Sequence, residues 1–193
     1  MFNFNFHRQR INEVELVEGD ITLRRGKPTD AGAWIELREK SKQHLTRWEP
    51  DWQPQEMKID RVRRRLSAQF RQRHPYAYLS LFVFRNEDDA LVGGINLSNI
   101  RYGAVCSAQI GYWIGSPYIR HGYGLSAVRA TLRYGFGLLG LNRIEAACQP
   151  DNVASRQLLL RAGFEEEGHA KEYLLINGAW RDHCLFAARG STY

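Results

Sequence analysis

At 193 residues the chain is long enough to bury a hydrophobic core without metal or disulfide staples, and its length suits one domain. With 44% hydrophobic and 25% charged residues it reads as an ordinary soluble globular protein, and no apolar run reaches the ~18 residues of a membrane span. The net charge of +6 predicts acidic partners, among them RNA or a protein sitting among RNA.

Met1 to Arg8 alternates aromatic and polar residues and lacks the continuous apolar core of a secretory signal, so a cytoplasmic location is expected. Residues 1–19 read as an extension on a single domain covering 1–193. Cys106, Cys148 and Cys184 are odd in number, widely spaced and flanked by apolar or small residues. That pattern predicts buried thiols rather than disulfides or a zinc site, and no metal is implied.

Ile21 to Arg25 alternates as a first strand, and Asp30 stands as an N-cap before a helix that should end near Gln43. His44 to Trp52 then carries Trp48, Glu49, Pro50 and a second tryptophan without regular period. Large aromatics in a connection either fold back as core plugs or line a site. Glu56 to Arg73 follows as a helix with Val62, Leu66 and Phe70 on one stripe and Arg61, Arg63, Arg64, Arg65, Arg71 and Arg73 around it. Such a basic face serves solubility, or else meets phosphate or an acidic protein.

Tyr76 to Arg85, Ala90 to Ile100 and Ser107 to Ile114, joined by short turns, predict an antiparallel meander. From Gly122 a helix carries Leu125, Val128, Leu132, Phe136 and Leu139 and stops at Gly140. Arg143 to Cys148 reads as a strand, so Ile110 to Ile114 and Arg143 to Cys148 are expected to run parallel across the helical crossover. If these two strands splay, their free backbone groups can accept an extended ligand arm. A further helix is expected to start at Pro150-Asp151, capped by Asp151 and closed by Gly163. Asn177-Gly178 between Phe164–Ile176 and Ala179–Ala188 predicts a terminal hairpin.

Gly122 and Gly124 sit where the long helix begins, which is the layout of an anion cradle. The P-loop reading fails because no Gly-Lys-Ser/Thr follows. Gly122, Gly124 and Ala127 satisfy the dinucleotide pattern, yet Glu145 falls inside the next apolar run, and an antiparallel meander precedes where that fold opens with βαβ units. A helix start that uses glycine only for packing remains open.

With Ile119 to Gly124 as x-x-x-G-x-G, the strand Tyr112-Trp113-Ile114 before it and Asn152-x-x-Ser155 after the next strand, the region resembles the acyl-CoA-binding motif of the GNAT N-acetyltransferases. One departure is Ile119, where that family usually has Gln or Arg; here Arg120 comes one place later. Asn142-Arg143-Ile144-Glu145, Arg161-Ala162-Gly163-Phe164 and the run from Ala170 to His183 extend the similarity to the RimJ and RimL branch, over most of residues 20 to 188. Trp48-Glu49-Pro50 and that last run favour the RimJ type, which acts on ribosomal-protein alanine.

The resemblance implies an α+β GNAT fold: a mixed, mostly antiparallel sheet with one splayed parallel pair and helices on both faces. It implies acetyl-CoA as cosubstrate, held by Trp113, Ile114, Arg120, His121, Gly122, Tyr123, Gly124, Leu125 and Asn152. The acceptor, a ribosomal protein N-terminus, would meet Trp48, Glu49 and Tyr112. Ser155 would donate to the departing sulfur, its other reading being a hydroxyl that bonds its own first helical turn. An α-amine, of pKa about 7.7 to 8.0, needs little help to lose a proton. That matters because relatives carry a glutamate where Gln109 stands. The candidate bases are Glu49 and Asp51, or a water chain held by them; Glu49 is the preferred one, and its alternative is a salt bridge to an arginine. His121 is expected to face solvent or nucleotide, and His169 and His183 have no nucleophile partner legible in sequence. The other readings are acetylation of a small amine and a ribosome- or RNA-binding module without activity, with RNA contact through the Arg61 to Arg73 helix.

Overall fold

The structure is a computed structural model, and it describes residues 14–71 and 78–193. The aromatic alternation of residues 1–8, Arg73 at the end of the basic helix and Tyr76 at the head of the next strand lie outside the described residues.

Strands β1 (Glu15–Glu18), β2 (Ile21–Arg24), β3 (Tyr78–Arg85), β4 (Leu91–Arg101), β5 (Ser107–Ile114), β6 (Arg143–Cys148), β7 (Glu165–Ile176) and β8 (Ala179–Arg189) form one sheet. Its order is β1-β2-β3-β4-β5-β6-β8-β7, and every neighbouring pair is antiparallel except β5 and β6. The meander, the crossover and the terminal hairpin all stand as expected. Strand β1 is an addition, turning into β2 through Gly19-Asp20.

Alternation along β3 explains why helices cover both faces. Leu81 and Val83 pack with Val128, Leu132 and Leu159 of helices α4 (Tyr123–Arg133) and α5 (Val153–Arg161). Phe82 and Phe84 face the other way, onto Trp34 and Leu37 of α1 (Ala31–Lys40) and Val62 and Leu66 of α3 (Ile59–Arg71). Each fully buried Leu or Phe stabilises its layer by roughly 1.5–3 kcal/mol.

Several helix ends differ from expectation. Asp30 occupies the position before α1, but its carboxylate is taken by the Arg24 guanidinium at 2.8 Å and the Lys27 N–H at 2.7 Å, so it does not cap. A short helix α2 (Lys42–Leu45) continues the first one. Pro54–Met57 forms a 3-10 turn, so the basic helix begins at Ile59 rather than Glu56. Asn152, not Asp151, caps α5, its side-chain oxygen accepting from the Ser155 N–H at 3.1 Å. Cys148 and Cys184 are buried, whereas Cys106 is half-buried in the β4–β5 turn and donates to the Gly103 carbonyl at 3.0 Å.

Candidate active site

Parallel pairing of β5 and β6 lasts three rungs, from Ser107 with Arg143 to Gln109 with Glu145, and then the strands part. On its other edge β5 stays in register with β4 as far as Ile114. The Gly115 N–H donates to Val92 of β4 at 2.9 Å, and alternate residues of a strand point alike. The N–H groups of Ile110, Tyr112 and Ile114 therefore turn toward the side that β6 has vacated. Trp113 lies over β4 at Gly94, where a Cβ would stand 2.7 Å from the indole Nε1. The gap opens into a cavity of about 800 Å³, the size of a small-molecule site.

At one end of the cavity is the loop before α4. Ser116 anchors it to α1, its N–H donating to Ser41 Oγ at 2.8 Å and its hydroxyl to the Lys40 carbonyl at 3.1 Å. Arg120 and Gly122 both adopt positive φ, +64° and +84°. Gly122 tolerates this freely, and a Cβ there would meet nothing within 4 Å, so the backbone is open to a ligand. The first N–H bond of α4 runs from Ser126 to Gly122 at 3.1 Å, which leaves the N–H groups of Tyr123, Gly124 and Leu125 ahead of the helical ladder. Donors at a helix N-terminus with a flanking arginine suit a diphosphate. His121 is exposed, its ring stacked on Tyr123 and its Nδ1 2.8 Å from the Ile119 carbonyl.

At the widening of the strands, the Tyr112 and Ser155 hydroxyls are 2.8 Å apart. Ser155 thus bonds across to β5 rather than to its own first turn. Burial pushes the Tyr112 phenol well above its ordinary pKa, with the Ser155 hydrogen bond opposing, so it stays protonated. The Cys148 thiol lines the same wall and is pushed by burial up to about 11, again against a Ser155 hydrogen bond. Neither group is an anion at neutral pH. Tyr112, expected beside the acceptor, is thereby tied to the residue expected beside the leaving sulfur.

The tryptophan loop closes the other side, with Trp48, Glu49 and Pro50 in the cavity wall. Both Glu49 oxygens are engaged: Arg38 donates to them at 2.9 and 2.5 Å, and Trp52 Nε1 donates at 2.8 Å. The Arg38 guanidinium lies among three indoles, 3.9 Å from the Trp52 ring centre, 5.0 Å from Trp113 and 5.5 Å from Trp34. Glu49 therefore holds the salt bridge that sequence offered as its second role, and its geometry suits an anchor better than a base. Arg38 went unread because an arginine in a helix ordinarily faces water.

Gln109 is not in the cavity wall; its carboxamide oxygen accepts from Asn99 Nδ2 at 2.7 Å at the β4 bulge. His169 is exposed and paired with Asp182 at 2.9 Å. His183, in contrast, is buried at 3% exposure and lines the cavity, with Nδ1 2.9 Å from the Arg181 carbonyl.

Residues 20–165 match the family described as acetyltransferase (GNAT) domain. The [ribosomal protein uS5]-alanine N-acetyltransferase of Escherichia coli (strain K12) is 31% identical over 191 residues, 94% of this chain and 93% of that enzyme. Mycobacterium smegmatis RimJ in complex with CoA-disulfide superposes with a TM-score of 0.84 at 32% identity, covering 93% of this chain and 87% of that one. The ribosomal-protein-S5-alanine acetyltransferase of Vibrio fischeri gives 0.85 at 29%, covering 92% and 97%.

Proposed function

The chain belongs to the GNAT acetyltransferase family, and from that premise we propose that it transfers the acetyl group of acetyl-CoA to the N-terminal α-amine, alanine above all, of a ribosomal protein. The observation that carries this reading is the parted β5–β6 seam, with strand N–H groups turned into it and the α4 N-terminus at its end. In it, Arg120 and the backbone of Gly122, Tyr123, Gly124 and Leu125 bind the diphosphate, with His121 at the rim. Asn152 and the Ile114 backbone take the pantetheine arm, with the Ile114 N–H facing the thioester oxygen, while Trp113, expected to share that pairing, turns its own backbone groups to β4. The bound cosubstrate supplies an activated acyl carbon.

Either hydroxyl of the Tyr112–Ser155 pair can donate, and when Tyr112 donates to Ser155 Oγ the Ser155 proton is free to go to the departing sulfur. A thiol of pKa about 8.5 is a modest burden, which suits a hydroxyl donor. Trp48 and the Arg38–Glu49 anchor frame the acceptor side. The β7–β8 hairpin favours a polypeptide acceptor over a small amine, because Leu174 and Leu175 line the cavity while Tyr173 and Trp180 beside them are exposed apolar surface. The exposed arginines of α3 are the surface offered to ribosomal RNA around such a substrate.

Mass spectrometry of N-terminal peptides from cells with and without the gene tests the acceptor. A ribosomal-protein α-amine that loses an acetyl mass in the deletion is the expected result; no change at any N-terminus refutes it.

A further inference from the structure

We infer that His183 Nε2 is the proton acceptor for the attacking amine, an assignment that rests on the acetyltransferase reading above but not on which amine is used. His183 lines the same cavity as Tyr112 and Ser155 and is 3% exposed. A carbonyl oxygen only accepts, so the 2.9 Å contact with Arg181 fixes the proton on Nδ1. In the neutral ring Nε2 then carries the lone pair. The Tyr173 ring packs against the imidazole at 63°, with centroids 5.6 Å apart, and holds its plane.

The other titratable groups nearby are poorer acceptors. Tyr173 from β7 touches the ring, and Tyr112 from β5, Cys148 from β6 and, from across the cavity, Glu49 and His44 share its walls. Tyr112 and Cys148 hold their protons, and Glu49 is committed to Arg38 and Trp52. His44 is half-buried on α2 and has no hydrogen bond that sets its tautomer among those the structure shows.

The step balances. The amine lone pair forms the C–N bond, and the C–S bond breaks with its electron pair passing to sulfur. The surplus proton on nitrogen goes to His183 Nε2, while Ser155 Oγ–H supplies sulfur with one. Solvent then carries the imidazolium proton back to the serine, so the net transfer is one proton from nitrogen to sulfur.

The decisive variant is His183→Asn, whose side-chain N–H can still donate to Arg181 while the second nitrogen is gone. Rates are compared across pH for wild type, His183→Asn and His44→Gln. The acceptors are an alanine-starting peptide, a small diamine, and a peptide starting with trifluoroalanine, whose electron-poor amine stays neutral over the range. Acetyl-CoA affinity is measured alongside by calorimetry. We expect a loss of about 100-fold or more in kcat for His183→Asn at unchanged acetyl-CoA affinity. The enzyme's own rising limb with the trifluoroalanine peptide should also disappear. A rate within threefold of wild type, an unchanged limb, parallel loss of acetyl-CoA binding, or the same signature in His44→Gln instead each overturn the assignment. Turnover of the diamine alone would refute the peptide acceptor while leaving His183 fully tested.

Discussion

The Tyr112 and Ser155 hydroxyls meet at 2.8 Å across the place where β5 and β6 part, joining β5 to the first turn of α5. If the pair delivers a proton to sulfur, Ser155→Ala should lower kcat by about 100-fold, the low end for proton donation, because a thiolate leaves readily. Tyr112→Phe, which leaves Ser155 in place, should cost less. The double variant should cost no more than Ser155→Ala alone, since both act through one proton. Steady-state kinetics with calorimetry decides: additive losses, or losses confined to acetyl-CoA binding, would remove the donor role.

Arg38 and Glu49 should behave as a structural anchor. Glu49→Gln leaves a guanidinium at the bottom of an indole cage facing a neutral amide, and charged hydrogen bonds of this kind are worth roughly 1.5–3 kcal/mol. Denaturant unfolding should lose an amount in that range. Acceptor KM should rise as the Trp48 loop loosens, with kcat within about threefold and the pH limb unmoved. A kcat collapse in Glu49→Gln at native stability would return Glu49 to the role of base.

The contrast between these two sites shows what the chain made legible. Ser107 to Ile114 was readable as a strand because β-branched and aromatic residues crowd its second half, Arg143 to Cys148 because a short, mostly apolar run stands between turn signals, and their parallel pairing followed from the helical crossover. Gly122, at the start of α4, was readable because its positive φ limits what stands there, and Gly124, inside the first turn, because a Cβ would stand 2.9 Å from Leu158. Arg38 was only partly readable: Trp34 stands one turn before it on α1, but only assembly brings Trp52 and Trp113 around it from separate segments. His183 was hidden for a similar reason, since its partner is a backbone carbonyl and its value lies in facing a cavity. Asp151 and Asn152 are both good caps by type, and local geometry alone chose the second.

The edge hairpin should be the acid-sensitive part of the fold. Arg156 beside Glu166 and Arg143 beside Glu167 hold those carboxyls below their ordinary pKa, and the Glu172 N–H, then His169, does so for Asp182. A carboxylate whose folded pKa is depressed adds stability that is present above its unfolded value and lost as pH falls through the folded one. Thermal stability should thus be flat from neutrality to about pH 5 and drop below about pH 4. Amides of β7 should exchange before those of β3 at the lower pH, because three of the clasps sit on this one hairpin. Equal protection of β7 and β3 at pH 3 would show that these exposed pairs contribute nothing to holding the edge.

On α3, Arg61, Arg63, Arg64 and Arg71 are exposed, and among the described residues no carboxylate pairs with them. Arg65 is exposed too, but its guanidinium rests 4.4 Å over the Trp34 ring. Val62 and Leu66 bury the opposite stripe, so the helix presents its cations outward over about 15 Å, enough to follow two or three phosphates. If this face meets RNA, binding of a polyuridine strand should weaken steeply with salt. The slope of log affinity against log salt should shrink by about 0.7 for each arginine changed to glutamine. Acetylation of a short alanine-starting peptide should be untouched in the same variants, because the face lies outside the cavity wall. Fluorescence anisotropy across a salt series separates the cases: a slope that ignores all four substitutions would mean that the positive charge of this helix only keeps the protein in solution.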